Sequence, residues 1–216
     1  MTTEIIKLDN DSIDSEILNS ILEGYPIAFP TETVYGLGTP ISNIRGVKEI
    51  FRIKGREQTK PLAAHISNIE QVTGLSNDIP HDFFILAQHF LPGPLALIIK
   101  KSNKVDNAIT CGFDTISIRW PDSVVACDLI DLIGQPVAAT SANLSGNAPC
   151  TSAEAVYKEL NGKIKYIIDD GITYYQKEST IVSLMDGSVK LLRQGVIPKI
   201  VIEAVLNKII SSLNNY

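Results

Sequence analysis

The chain has 216 residues, 44% of them hydrophobic and 20% charged, with 19 basic against 24 acidic side chains and a net charge of −5. That length suits one large domain with a sizeable core, the apolar fraction excludes wholesale disorder, and the apolar runs fall far short of the roughly 20 residues that cross a bilayer. Met1-Thr2-Thr3-Glu4 leads no basic segment into an apolar one, so no secretory signal is visible, and the sequence predicts a soluble, cytoplasmic, single-domain chain over residues 1–216.

Ile13–Glu23 has Ile17, Leu18, Ile21 and Leu22 on one helical face, with Ser12 as N-cap and Gly24 as terminator. Pro26–Phe29 reads as a short buried strand running into the polar, glycine-containing segment Pro30–Gly38. A helix over Ile44–Ile53 turns Ile44, Val47, Ile50 and Phe51 inward, capped by Asn43 and ended by Gly55. Leu62–Ile66 is strand-like and Ile79–Phe90 helical, and Leu95–Ile99 is an apolar strand after Pro92-Gly93-Pro94. Ile116–Arg119 alternates as a strand, Val124–Ile133 is helical, and Pro136–Ala139 is a second buried strand. Ser152 caps a helix through Leu160. Strands follow at Tyr166–Ile168, Thr180–Leu184 and Val189–Leu192, and Pro198–Leu213 closes the chain as a helix with Ile200, Val201, Val205, Ile209 and Leu213 on one side. Such alternation predicts an α/β or α+β layered fold with an open, twisted, mixed sheet flanked by helices.

The positive charge is concentrated. Residues 45–60 carry Arg45, Lys48, Arg52, Lys54, Arg56 and Lys60 against Glu49 and Glu57. A basic island on an acidic chain suits a small anion better than a long polyanion, although a solvated helix face explains it as well. Cys111, Cys127 and Cys150 are odd in number and widely spaced, and His65, His81 and His89 include no pair four apart. Neither a disulfide framework nor a thiolate or histidine metal site is therefore predicted. The sequence lacks GxxxxGK[ST], GxGxxG and GxSxG, so any nucleotide is handled by another architecture.

Four segments carry more polar chemistry than packing requires: Pro30–Gly38, Lys54-Gly55-Arg56 with Lys60, Arg119 at the end of its strand, and Thr140–Gly146 after a core strand. Hydroxyls, glycines and cations in loops after strands can cradle an oxyanion. Taken singly, each is equally well read as a turn, a helix-end cation or an internal ion pair.

Together with Pro92-Gly93-Pro94-Leu95, Ser117-Ile118-Arg119, Glu178-Ser179-Thr180-Ile181 and Leu192-Arg193-Gln194-Gly195, their order along residues 5–200 resembles the YrdC-like threonylcarbamoyl-AMP synthase family. The resemblance implies a twisted α/β sheet around a concave basic cleft, in the short form that lacks a further C-terminal domain. It also implies a nucleotidyltransferase that makes threonylcarbamoyl-AMP and pyrophosphate from L-threonine, bicarbonate and ATP, with Mg²⁺ carried by the ATP and no tightly bound cofactor. The product would pass to tRNA threonylcarbamoyl-transfer proteins for modification of adenosine 37, which leaves room for a weak RNA contact and gives no membrane role. By matched motif, Lys54, Arg56, Ser141 and Asn143 would act at the ATP phosphates. Lys60, Thr115, Pro149 and Arg193 would contact nucleotide, and Thr33, His65, Arg119, Ala139 (through its backbone) and Ser179 would surround threonine. Lys60 stands where many members have Asn, and Glu57 replaces the Pro after the Arg. A non-catalytic module binding double-stranded RNA is the alternative, disfavoured by the acidic net charge. A relative using another acyl or carbamoyl donor is disfavoured by the intact Thr31–Gly36 segment beside His65 and Arg119.

Overall fold

Local signals start and stop the helices of the computed structural model, which describes residues 2–7 and 13–212. After strand β1 (Glu4–Lys7), helix α1 (Ser15–Leu22) is capped by Asp14, whose carboxylate accepts from the Glu16 amide; the expected cap, Ser12, lies outside the described residues. β2 (Ile27–Phe29) and β3 (Gly36–Pro40) follow, then α2 (Ile44–Lys54). Asn43 caps α2 by accepting from the Gly46 amide at 3.0 Å, and Gly55 ends it in the left-handed region at φ +57°. Glycine adopts that conformation without steric cost. β4 (Ala63–His65) leads through a 3-10 turn at Ile69–Gln71 to α3 (Val72–Leu75) and α4 (His81–Phe90). The chain continues through β5 (Leu95–Lys100), α5 (Asn107–Thr110), β6 (Thr115–Arg119), α6 (Val124–Ile133), β7 (Val137–Ser141) and α7 (Ala153–Leu160). It finishes with β8 (Tyr166–Asp169), β9 (Thr180–Ser183), β10 (Lys190–Arg193), α8 (Lys199–Leu206) and β11 (Ser211–Ser212).

The strands form one mixed, open sheet in the order β1-β8-β2-β3-β7-β4-β6-β5-β9-β10-β11. Because side chains alternate across a strand, the register sorts every residue onto one of two faces. Ala138, Ala64, Ile118, Leu97, Val182 and Leu191 stand opposite one another in a single row. They join the main core, where α2 packs Val47 and Ile50, α4 packs Phe83 and Leu86, and α7 packs Val156 and Leu160. On the other face, Ile27, Phe29, Val137, Ala139 and Ile168 pack beneath Ile17 and Ile21 of α1 and Leu129 and Ile130 of α6. Among the described residues, that second helical layer packs on the β1-β8-β2-β3-β7 side. Further along the same face, Ala63, Ser117, Ile98 and Ile181 are half-buried.

Two readings of the sequence need correction. The closing helix ends at Leu206, because Asn207 turns left-handed at φ +50° and sends the chain to β11. Its buried residues are Ile202 and Leu206, while Ile200 and Ile209 are 70% and 93% exposed. An eight-residue helix that is apolar on most sides does not announce which stripe packs. Leu213 lies outside the described residues. Gly36-Leu37-Gly38, read as the end of a polar segment after β2, belongs to strand β3, paired antiparallel with β2 and β7. Its glycines are imposed by packing, since a Cβ on Gly38 would lie 2.5 Å from Val137 Cγ1.

Candidate active site

The sheet face that carries α1 and α6 runs in rows from beneath them to the far edge of the sheet. Val137, His65, Arg119, Ala96, Ile181 and Arg193 lie in one row across six strands, and Gly38, Ala139, Ala63, Ser117, Ile98 and Ser183 lie in the next. Thr115 opposite Lys100, and Ser141 opposite Gly36, continue the face beyond them. The floor thus mixes small and polar residues with Val137, Ile98 and Ile181, and carries His65, Arg119 and Arg193 along one side.

Loops close in over this floor. Arg119, 6% exposed, donates through Nη2 to Thr33 Oγ1 at 2.6 Å, Glu32 Oε2 at 3.0 Å and Thr31 Oγ1 at 3.1 Å, which ties the loop after β2 to the end of β6. Thr31 in turn donates to the Val34 carbonyl at 2.6 Å, and the Glu32 carbonyl accepts from the Tyr175 amide at 2.8 Å. Arg193 donates to Glu178 Oε1 at 2.5 Å, the Ser179 carbonyl at 3.1 Å and Ser179 Oγ at 3.3 Å. Immediately beyond it the chain crosses so closely that a Cβ on Gly195 would lie 2.1 Å from the Glu178 carbonyl oxygen.

From the other side comes the end of α2. Lys54, only 3% exposed, donates its ammonium to the carbonyls of Ser141 and Asn143, while its own carbonyl accepts from the Ser145 amide at 2.9 Å. The left-handed turn at Gly55 then brings Arg56 back, where its guanidinium donates to the Lys60 and Pro61 carbonyls at 2.8 and 3.0 Å. Asn143 donates to the Leu144 and Asn147 carbonyls at 2.9 and 2.8 Å, folding the 141–147 loop around itself.

The electrostatics are those of crowded, dry cations. Burial pulls the Lys54 ammonium down to about 8, aided by repulsion from Arg56. Burial likewise lowers Arg56 and Arg193, which repel each other, and Arg193 also feels Arg119. Burial and the Arg119 charge hold His65 down to about 3, so its imidazole is neutral at pH 7. Lys54, Arg56, Arg193, Arg119 and His65 are therefore electrostatically linked, one to the next, around a single face. Four buried polar atoms of the site have no partner among the described residues: Glu32 Oε1, His65 Nδ1, Arg119 Nε and Asn143 Oδ1. Buried polar atoms are nearly always satisfied, so this set, which includes two acceptors and the Arg119 donor, fits a polar ligand that offers both donors and acceptors. Among the described residues no group of three or more His, Cys, Asp or Glu side chains could hold a metal ion.

A family model named for Sua5, YciO and YrdC, and described as telomere recombination, matches residues 19–195. The chain belongs to the Sua5/YciO/YrdC family. It is 45% identical over 189 residues to the threonylcarbamoyl-AMP synthase of Pyrococcus abyssi, covering 88% of this chain and 56% of the relative. It is 42% identical over 201 residues to the Bacillus subtilis threonylcarbamoyl-AMP synthase, covering 93% and 58%. The P. abyssi Sua5 structure complexed with L-threonine superposes with a TM-score of 0.91 at 42% identity, over 97% of this chain and 62% of that one. The chain thus spans a little over half the length of these curated relatives.

Within this Sua5/YciO/YrdC domain, the expected residues Lys54, Arg56, Ser141, Asn143, Thr33, His65, Arg119, Ser179 and Arg193 come together around the open face. Ala139 lies in the ladder between Gly38 and Ala63. Thr115 is half-buried on the face, and half-buried Pro149 precedes Cys150, whose carbonyl takes the Tyr35 amide at 2.9 Å. Lys60 is not brought in: its ammonium pairs with Glu57 at 3.3 Å on the exposed surface, and only its carbonyl serves the site. Sequence reasoning gave no role to Glu32 and Glu178, the carboxylates that hold Arg119 and Arg193. A buried position flanked by Thr31 and Thr33 was the available signal for Glu32.

Proposed function

We propose that this domain is a threonylcarbamoyl-AMP synthase, a nucleotidyltransferase that converts L-threonine, bicarbonate and MgATP to threonylcarbamoyl-AMP and pyrophosphate. The observation that carries the reading is the convergence of Lys54, Arg56, Arg119 and Arg193 with buried hydrogen-bonding groups, some of them unpartnered among the described residues, on one sheet face. The names of the relatives supply the chemistry. We take that face as the concave basic cleft.

Threonine occupies the Thr33–His65–Arg119–Ser179 side, where Arg119 faces its carboxylate. Its amino nitrogen, as the free amine, adds to CO2 derived from bicarbonate and loses a proton, giving a carbamate. A carbamate oxygen then attacks the α-phosphorus, and the bond to the β,γ-pyrophosphate breaks with both electrons leaving on pyrophosphate. Such a displacement depends on positioning and charge neutralisation more than on covalent help. Lys54, Arg56 and Arg193 supply the charge, and Ser141 and Asn143 direct the phosphates. Mg²⁺ enters as part of the nucleotide. Neutral His65 adds a hydrogen bond without a further charge. The product is handed to proteins that transfer threonylcarbamoyl to tRNA, which places the work in the cytoplasm.

An RNA-binding role fits less well, because two of the exposed cations beside the site are matched locally, Arg52 with Glu49 at 2.5 Å and Lys60 with Glu57 at 3.3 Å. Purified protein given ATP, bicarbonate and L-threonine should release pyrophosphate, more slowly with L-serine. Lys54→Ala or Arg56→Ala should lower kcat/KM for ATP at least about tenfold, or ~1.4 kcal/mol. Absence of threonine-dependent pyrophosphate from the wild type would overturn the assignment.

A further inference from the structure

Glu32 is, with Glu178, one of two acidic side chains in a site otherwise lined by cations. Were it only a counter-ion for Arg119, a carboxylate and a guanidinium buried together would close on each other through two parallel bonds. They do not. Glu32, 7% exposed, uses Oε2 alone, bonded to Arg119 Nη2 at 3.0 Å. Its Oε1 is buried and unpartnered among the described residues, and so is Arg119 Nε. The loop is not free to drift into a better pair. Thr31 and Thr33 bond the same Nη2, Tyr175 holds the Glu32 carbonyl, and Ser123 Oγ donates to the Pro30 carbonyl at 3.2 Å.

An unused acceptor on a carboxylate and an unused donor on the guanidinium bonded to it complement a molecule with a positive donor and a negative acceptor one carbon apart. That is the zwitterionic end of an α-amino acid. Resting on the functional reading above, we propose that Glu32 Oε1 receives the α-amino group of the substrate while Arg119 takes its carboxylate. Glu32 is thus a specificity-determining residue that selects an amine and aims its nitrogen. A site with a buried unpaired acceptor rejects analogues that lack the donor, because the acceptor is then left dry.

The test compares L-threonine with 2,3-dihydroxybutanoate, in which a hydroxyl replaces the amino group, by calorimetry on the wild type and on Glu32→Gln. The wild type should bind threonine at least about tenfold more tightly than the hydroxy acid. Glu32→Gln should lose most of that discrimination by weakening threonine alone, raising its KM while the KM for ATP stays put. A purely structural Glu32 would weaken both ligands together by displacing Arg119, and that result, or unchanged threonine affinity, overturns the proposal. Should Glu32→Gln fail to fold, the wild-type comparison still decides, since equal affinity for the two ligands is fatal. Wild-type protein that binds threonine but releases no pyrophosphate refutes the synthase reading and leaves this one standing; no threonine binding refutes both.

Discussion

Thr180→Val tests whether one buried hydroxyl holds the segment that carries Arg193. Thr180 is fully buried, and its Oγ1 makes three bonds: it donates to the Ile197 carbonyl at 2.8 Å and accepts from the Gly195 and Ile197 amides at 3.0 and 2.9 Å. Valine has almost the same shape, so packing is preserved while all three backbone groups lose their partner. At about 1–3 kcal/mol for each buried group left unmet, with some relief from relaxation, the expected loss is roughly 3–6 kcal/mol. Against a typical total of about 5–15 kcal/mol, that is a large share. Urea unfolding should show a lower midpoint with an unchanged slope. ATP affinity should fall as well, because Arg193 sits two residues before Gly195. Thr180→Ser keeps the hydroxyl and should cost only about 1 kcal/mol for the lost methyl group. A valine variant within about 1 kcal/mol of wild type would refute the reasoning, since unmet backbone groups cannot be that cheap.

Gly46→Ala should destabilise the protein by about 1–3 kcal/mol through overpacking, although alanine ordinarily favours a helix by about 1 kcal/mol. The reason is that its Cβ would lie 2.1 Å from Thr39 Oγ1, and thermal unfolding no lower than wild type would contradict that contact. A pH titration addresses Lys54. Burial lowers its ammonium to about 8 from 10.5, so ATP affinity should fall as pH rises through about 8, whereas Lys54→Arg should keep a flat profile. In the absence of ATP the sign reverses: between about 8 and 10.5 the unfolded chain holds the extra proton, so the Lys54 contribution to stability rises with pH. Unfolding midpoints that fall across that window more steeply in wild type than in Lys54→Met would count against a desolvated ammonium.

Much of the fold is legible locally. Asn43 and Ser152 cap the helices they precede, Gly55 ends its helix left-handed, and Val124–Ile133 has the bounds its apolar pattern predicts. What is hidden depends on partners distant in sequence. β3 is a strand because β2 and β7 pair with it on either side, and it carries glycines because Phe29 and Val137 leave no room for a Cβ; no window of Gly36–Pro40 contains that information. At α8 most positions are apolar, so only the finished packing picks Ile202 and Leu206 over Ile200 and Val201. In the site, the types of Lys54, Arg56 and Arg119 suggest anion chemistry. That Arg119 meets Glu32 from a loop 87 residues away, or that Lys60 turns outward to Glu57, follows only from register and loop closure.

The register of β6 has a mechanical consequence. Thr115 and Arg119 stand four residues apart on one strand, which at about 3.3 Å per residue fixes their separation near 13 Å. A strand locked between β4 and β5 neither stretches nor rotates, so it works as a calliper whose jaws keep a set gap. Inserting a single residue between Ser117 and Arg119 would do more than lengthen that gap. It would turn one jaw through the sheet into the apolar layer behind, so insertions or deletions in β6 should abolish ligand capture where the surface loops accept them.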